Sequence, residues 1–314
     1  MKVEGTLCMT QSKVLVVVGP TAVGKTALGI QLAQDFNGEI ISGDSLQVYR
    51  TLDIGTAKAT LLEQSQAVHH LIDIRSVNDT YSVADFQREA RKLIKSLHEQ
   101  GKLPIVVGGT GLYIQALLED FSLGSKDMSF SFRDQYENIL EEKGQQALWK
   151  MLLERDSIAA EKISVNNPRR VVRALEVLEA TGKSIFSFKE EGKQLYDTYL
   201  MGITMSRDKL YERINRRVDA MMHEGVLKEA ESLFELGEVQ ASQGIGYKEF
   251  FSYFREEISL TEAVDLVKSH SRRYAKRQLT WFNNRMNVHW YDPLEVSENR
   301  EKIMKDIIEW LLNS

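Results

Sequence analysis

The chain has 314 residues, 43% hydrophobic and 27% charged, a length that fits one large domain or two smaller ones of about 150 residues. Lys and Arg number 40 against 45 Asp and Glu, and the resulting formal charge of −5, taken as a sum, argues against a partner as anionic as nucleic acid. The single cysteine, Cys8, excludes an intramolecular disulfide or a Cys-rich zinc module, and no apolar run approaches the roughly 20 residues of a membrane span. The opening MKVEGTLCMTQSK carries Glu4 and no apolar signal core, so a soluble cytoplasmic protein is expected, with no membrane partner.

The first strand-like segment, 14–18, is a continuous β-branched run of the kind buried on both faces of a parallel sheet. It leads into G-P-T-A-V-G-K-T at 19–26, which fits the phosphate-loop pattern GxxxxGK(S/T) and passes directly into a helical pattern over 26–35. Gly19 and Gly24 let the backbone of Pro20, Thr21, Ala22 and Val23 wrap so that amides converge at a helix N-terminus, where the dipole favours an anion. Lys25 adds a point charge for terminal phosphates, and the Thr26 hydroxyl suits a Mg ion. A Gly-rich turn with a surface lysine shares the composition but not the strand, loop and helix order. A di- or triphosphate ligand is therefore expected.

A second strand, 39–42, runs into S-G-D-S-L-Q at 42–47, which sets Asp44 just past a strand's carboxyl end, beside the phosphate loop. Asp44 there either caps a turn or helix, or stands as a general base or Mg-organising acid. D-I-G-T-A-K at 53–58 is a second glycine-bearing loop, with no chemistry assigned from its residues alone. His69 and His70 lack a Cys or His cluster and receive no metal role. Residues 83–99 are amphipathic at helical spacing, with opposite charges on the polar face. The strand at 103–107 ends in Gly108-Gly109-Thr110-Gly111 instead of a Walker-B acid, which weakens a hydrolytic motor and offers Thr110 and the turn backbone to a substrate.

From about 120 to 197 strand-like runs stop, and 135–154 and 168–180 read as amphipathic helices; strands resume at 200–205 and 288–291. The expected fold is α/β: a P-loop NTPase-like parallel sheet flanked by helices, built from 1–120 and 198–314, with a helical insertion domain at 121–197. Residues 266–291 hold no Asp or Glu but carry Lys268, Arg272, Arg273, Lys276, Arg277 and Arg285. Val264, Val267, Tyr274 and Trp281 recur at helical spacing, predicting a helix with its apolar stripe inward and its basic side toward phosphates, unneutralised by acid. Segregation of this kind is invisible to a net charge of −5.

GPTAVGKT (19–26), SGDSLQVYR (42–50), DIGTAK (53–58), HHLID (69–73) and VVGGTGLYIQALL (106–118) together resemble the tRNA dimethylallyltransferase (isopentenyl-tRNA transferase) family in its shorter bacterial form. NPRRVVRALEV (167–177), LYERINRRVDAMMHEGVLKEA (210–230), QGIGYKEF (243–250) and RRYAKRQLTWF (272–282) extend the resemblance over nearly the whole chain. It implies transfer of the dimethylallyl group of dimethylallyl diphosphate to the exocyclic amine of the adenosine 3′ of a tRNA anticodon, with pyrophosphate leaving. Asp44 is implied as the base on that amine, Thr26 and the loop amides as holding the diphosphate with Mg, and Thr110 as lying at the reacting centre.

The same resemblance implies contact with the anticodon loop through Asp44, Ser45, Leu46 and Gln47, and less firmly Arg133. It adds Pro168, Arg169, Arg170, Val171 and Val172, and Gly244, Ile245, Gly246, Tyr247, Lys248 and Glu249, with Tyr247 for stacking, Lys248 for phosphate and Gln47 for a base edge. A monomer is expected. Ala59 stands where the family usually has proline after DIGTAK, implying a looser loop, and Asn283 stands where an arginine is usual. A prenyltransferase acting on free adenine nucleotides and a small-molecule P-loop kinase remain as alternative readings of the same phosphate loop.

Overall fold

The computed structural model describes residues 13–119, 130–187, 193–293 and 300–313; Cys8 lies outside them. Among the described residues six parallel strands form one sheet. In chain order they are β1 (Lys13–Val18), β2 (Gly38–Ser42), β3 (His69–His70), β4 (Leu103–Gly108), β5 (Asp197–Ile203) and β6 (His289–Tyr291), and across the sheet they lie β3-β2-β4-β1-β5-β6. β1 is buried along its whole length, as its unbroken Val and Leu run requires of a strand covered on both faces. The connection from β1 runs one way, to β2, and that from β4 runs the other, to β5. The loops after β1 and β4 therefore diverge and leave a crevice at the carboxyl ends of the strands.

The helices are α1 (Lys25–Asp35), α2 (Leu61–Gln66), α3 (Val83–Glu99), α4 (Gly111–Leu118), α5 (Phe130–Arg155, kinked at Gly144), α6 (Ser157–Lys162), α7 (Pro168–Thr181), α8 (Arg207–Glu224), α9 (Val226–Leu236), α10 (Lys248–Phe254), α11 (Leu260–Arg285) and α12 (Arg300–Leu312). α3 spans 83–99 as predicted, because Ser82 and Asp85 form a reciprocal capping box and its apolar residues Phe86, Ala90, Ile94 and Leu97 share one face. α11 ends at Arg285 within the acid-free stretch, and the chain turns into β6, which pairs with β5 over 289–291 where the strand at 288–291 was expected. The two histidines, given no metal role from sequence, form β3: they pair with Ile40 and Ile41 at the sheet edge, and His70 Nε2 bonds Glu39 at 2.6 Å.

The chain separates into two compact units, one of 1–118 and 194–314 and one of 119–193. In the first, the two sheet faces carry separate cores. Leu28, Leu32, Ile303, Ile307 and Leu311 of α1 and α12 cover one, and residues of α3, α4, α9 and α11 contribute to the other. Lys13, at the start of β1, is buried; its ammonium pairs with Asp197 and donates to the carbonyls of Trp310 and Asn313, both at 2.7 Å. In the second unit α5, α6 and α7 enclose Leu148, Leu152, Ala160, Val171, Val172 and Leu175. Val171 and Val172 thus lie in a core, 0% and 2% exposed, and not on a contact surface; they occupy the inner face of the helix whose outer face holds Arg169 and Arg170.

Candidate active site

The phosphate loop is built from backbone conformations its glycines permit. Gly19 has φ 147° and lies so close to Ile203 that a Cβ would sit 2.4 Å from its carbonyl oxygen, and Gly24 enters α1 with φ 102°. Lys25 is the first residue of that helix and its Nζ donates to the Pro20 carbonyl at 2.7 Å. Burial, and then the neighbouring Arg217, lower the Lys25 pKa to about 8, with Asp44 opposing. Arg217 comes from α8; it donates to Thr21 Oγ1 at 3.1 Å, and burial lowers its own pKa against the pull of Asp44 and Glu224.

Asp44 follows β2. Its Oδ1 accepts the N–H groups of Leu46 at 2.9 Å and Gln47 at 3.4 Å, so the capping role weighed from sequence is real. It occupies only one oxygen: Oδ2 accepts no hydrogen bond from the described residues. Gln47 is engaged within the protein, its Oε1 accepting from Ser42 Oγ at 2.9 Å and its Nε2 donating to the carbonyls of Thr56 and Ala57 at 3.3 Å. A base edge would compete with these bonds, so the free donor and acceptor expected of Gln47 are already in use.

At the end of β4 the glycine turn meets the phosphate loop through Gln278 of α11. Its Oε1 accepts Thr21 N–H at 3.0 Å and its Nε2 donates to the Gly109 carbonyl at 2.9 Å. The Thr110 hydroxyl is buried and makes no hydrogen bond of proper geometry. Tyr274 lies near enough to Thr110 and Gln278 for both to lower its pKa, but burial and then Asp44 outweigh them and raise it to about 12.

Residues 21–26 of the phosphate loop, Asp44, Gln47, Arg217, Tyr274 and Gln278 border one or both of two adjoining clefts of about 860 Å³ and about 380 Å³, whereas Gly19, Pro20 and Thr110 line neither. Asp44, Arg217, Met221 and Tyr274 border both. The larger cleft takes in the phosphate loop, residues 53–58 and Arg213; the smaller takes in Ser45, Leu46, Gly244, Ile245, Gly246 and Lys248. Two members of the 244–249 segment depart from expectation. Tyr247 is fully buried with its hydroxyl on Glu229 at 3.0 Å, so its ring is not open for stacking. Glu249 is also buried, accepting from Gly246 N–H at 2.9 Å and bonded to His270 at 2.8 Å.

The basic helix is less uniform than its sequence. Lys268 pairs with Asp219 of α8 at 2.5 Å and Arg272 donates to Asn215 at 2.6 Å, so an acid from another element neutralises part of it. Arg273, Lys276 and Arg277 are exposed, and Arg277 borders the smaller cleft. In the second unit Arg169 and Arg170 are exposed, with the Arg170 guanidinium 5.7 Å from the Phe186 ring, while Arg133 is held by Glu137 at 2.9 Å. The loop at 53–58 is also firmer than Ala59 implied: Lys58 Nζ bonds Asp53 and Asp73 at 2.6 Å and the Tyr49 carbonyl at 2.8 Å.

Reading residues in sequence missed Arg213, Arg217, Gln278 and the inward position of Glu229. A signal for three of them existed: Arg213 and Arg217 stand one helical turn apart, and Gln278 interrupts the apolar stripe between Tyr274 and Trp281. For a metal, Thr26 borders the larger cleft, and no group of three or more His, Cys, Asp or Glu is assembled among the described residues. That donor set fits Mg, which binds through one or two protein oxygens and completes its shell with phosphate and water.

The family model described as IPP transferase matches residues 47–285. The chain is 58% identical over 301 residues to a tRNA dimethylallyltransferase of Enterococcus faecalis, covering 95% of this chain and 97% of that one. The chain belongs to the IPP transferase family. Another member, the tRNA dimethylallyltransferase of Ligilactobacillus salivarius, is 50% identical over 96% of this chain and 100% of its own. Among solved IPP transferases, the tRNA isopentenylpyrophosphate transferase of Bacillus halodurans superposes with a TM-score of 0.73 at 46% identity, covering 96% of this chain and 97% of that one. A eukaryotic dimethylallyltransferase acting on tRNA gives 0.79 at 31% identity over 95% of this chain and 80% of its own. The family match begins after the phosphate loop and Asp44. Among the described residues no helix is long and apolar enough to cross a membrane.

Proposed function

We propose that this chain is a tRNA dimethylallyltransferase: it transfers the dimethylallyl group of dimethylallyl diphosphate to the exocyclic amine of the adenosine 3′ of the anticodon, releasing pyrophosphate. The observation that carries the reading is a carboxylate whose second oxygen, Asp44 Oδ2, accepts no hydrogen bond from the described residues, on a residue that borders two clefts: the larger takes in 21–26 of the phosphate loop with Lys25, and the smaller meets only Thr21 and Ala22 of it. A two-substrate transfer needs that arrangement. The diphosphate lies on the loop amides, and as the allylic C–O bond breaks, the charge gathering on the leaving oxygens is met by Lys25, Arg213 and Arg217. A Mg ion on Thr26 would add charge neutralisation on the diphosphate.

From the smaller cleft the amine reaches the allylic carbon, and Asp44 takes its proton as the C–N bond forms. Thr110, whose hydroxyl is buried without a partner among the described residues, would act from behind Tyr274, which borders both clefts. The target adenine must leave the anticodon stack to enter the cleft, and Ser45, Leu46 and the 244–246 backbone are placed to receive it, with Lys248 for phosphate. The enzyme is expected to act as a monomer in the cytoplasm, where tRNA is found.

The test is direct: the protein is incubated with Mg, dimethylallyl diphosphate or ATP, and unmodified tRNA or AMP, and products are read by mass spectrometry. Prenylated tRNA is expected; prenyl transfer to AMP alone, or a phosphorylated product, overturns the reading.

Two further outcomes follow. Below about pH 8 Lys25 is protonated and attracts the diphosphate; above it the charge is lost, so affinity for dimethylallyl diphosphate should decline as pH rises through about 8. Calorimetric titration alongside Lys25→Arg, which stays charged, isolates this from the ligand's own titration. Charge reversal of Arg169 and Arg170 should weaken tRNA binding and flatten its salt dependence by about one unit of slope per lost phosphate contact, with diphosphate affinity unchanged. Binding isotherms over a salt series decide it, and an unaltered slope removes both residues from the footprint.

A further inference from the structure

Glu229 lies on α9 and borders neither substrate cleft. Its carboxylate nevertheless gathers three consecutive backbone amides of the 53–58 loop. Oε1 accepts the N–H groups of Asp53 and Ile54, each at 2.8 Å, and Oε2 accepts that of Gly55 at 3.1 Å. Oε2 also accepts the Tyr247 hydroxyl at 3.0 Å. The Tyr247 ring lies against Gly55 so closely that a Cβ there would come within 2.5 Å of its Cζ. Successive amides turned to one point form a concavity that ordinarily binds an anion from solution. Here the protein supplies the anion.

From this anchor a continuous set of hydrogen bonds leads to the reacting carboxylate. The carbonyls of Thr56 and Ala57, the next residues of the loop, hold the Gln47 side-chain amide. The Gln47 backbone N–H, with that of Leu46, holds Asp44 Oδ1. Oδ1 is thereby fixed, and the direction of Oδ2 is set by the turn that carries it.

We propose that Glu229 is a positioning residue for the transfer: by fixing the 53–58 loop it sets Gln47, and through Gln47 the aim of Asp44. The inference rests on the function proposed above, in which Asp44 must meet an amine at hydrogen-bond range. Both Glu229 oxygens are engaged by the protein, so its effect is on geometry and not on substrate binding. The loop then has two electrostatic anchors, Glu229 on its first amides and Lys58 at its end, which supply the stiffness that Ala59 does not.

The test uses the full chain and three variants. Glu229→Ala should lower kcat for tRNA prenylation about 10- to 100-fold, the cost of misplacing a reacting group by a fraction of an ångström to about 1 Å, with tRNA affinity and KM for the diphosphate nearly unchanged. Gln47→Ala should act in the same direction. The double variant should be no slower than the slower single variant, because both break one relay, whereas independent structural damage would multiply. Glu229→Gln keeps the oxygen that serves Asp53 and Ile54 and should lie between wild type and alanine; it carries the test if Glu229→Ala does not fold.

Hydrogen exchange provides a readout independent of turnover: the amides of 53–55 should exchange at least about 10-fold faster in the Glu229 variants. Unchanged exchange, an unchanged kcat in a folded Glu229→Ala protein, or multiplicative effects would overturn the proposal. A wild-type protein that fails to prenylate tRNA would overturn the proposed function instead, and exchange would still decide whether Glu229 anchors the loop.

Discussion

Replacing Asp44 by Asn is expected to lower turnover in prenyl transfer about 10²- to 10⁴-fold, the range of a lost general base, while tRNA affinity stays almost unchanged. The choice of Asn follows from the geometry. One side-chain oxygen is retained for the Leu46 and Gln47 N–H groups, so the turn keeps its cap, and only the unbonded Oδ2 is exchanged for an amide nitrogen that cannot accept a proton. Asp44→Ala removes both functions and should cost more, with an added loss of stability on the order of 1 kcal/mol for the missing cap. Single-turnover kinetics beside filter binding separate the effects. If Asn retained wild-type turnover, or lost affinity as steeply as rate, Asp44 would be holding the substrate and not deprotonating it.

Replacing Arg217 by Met should lower kcat/KM for dimethylallyl diphosphate about 10²- to 10³-fold, comparable to removing one preorganised donor from a developing oxyanion. Methionine keeps much of the apolar stem and removes the charge. The guanidinium that donates to Thr21 sits against the phosphate loop, and its positive charge depresses Lys25. Removing it relieves that repulsion, so the charged form of Lys25 is favoured and its pKa rises from about 8 toward its ordinary value. The variant should therefore bind diphosphate more weakly at neutral pH and keep its remaining affinity to higher pH than wild type. A weaker variant with an unshifted pH profile would separate Arg217 from Lys25, and unaltered kcat/KM would remove it from the leaving-group site.

Much of this site was legible because its first half is local. The phosphate loop is eight consecutive residues between a buried strand and a helix, and Asp44 follows the next strand by two residues. α3 could be placed to the residue because Ser82, Asp85 and a one-sided apolar pattern each fix the same helix start and face. The second half comes from far along the chain. Gln278 meets Thr21 across 257 positions, and spacing along one helix says nothing about which distant backbone its carboxamide will reach.

Burial was the other thing sequence reading lacked. Tyr247 and Glu249 sit in a segment that does border the smaller cleft, but they alternate with residues that face it, and their partners Glu229 and His270 lie on other helices. The same blindness applies to charge. Glu229 counts as one of 45 acids in a sum, yet in the fold both its oxygens are taken up by the backbone N–H groups of 53–55 and the Tyr247 hydroxyl, a role no charge count can show.

The bonds that Lys13 makes to the last turn of α12 bring residues 13 and 313 side by side at the amino edge of the sheet. The crevice opens at the opposite edge, a strand of six residues away, or about 20 Å. A chain continued from Asn313 therefore starts on the side remote from the crevice, and an affinity tag or fluorescent domain joined there is expected to leave both substrate clefts free. A short peptide joining residues 13 and 313 directly would link the two described ends, and the chain could then be reopened at an exposed connection elsewhere with the catalytic crevice left undisturbed.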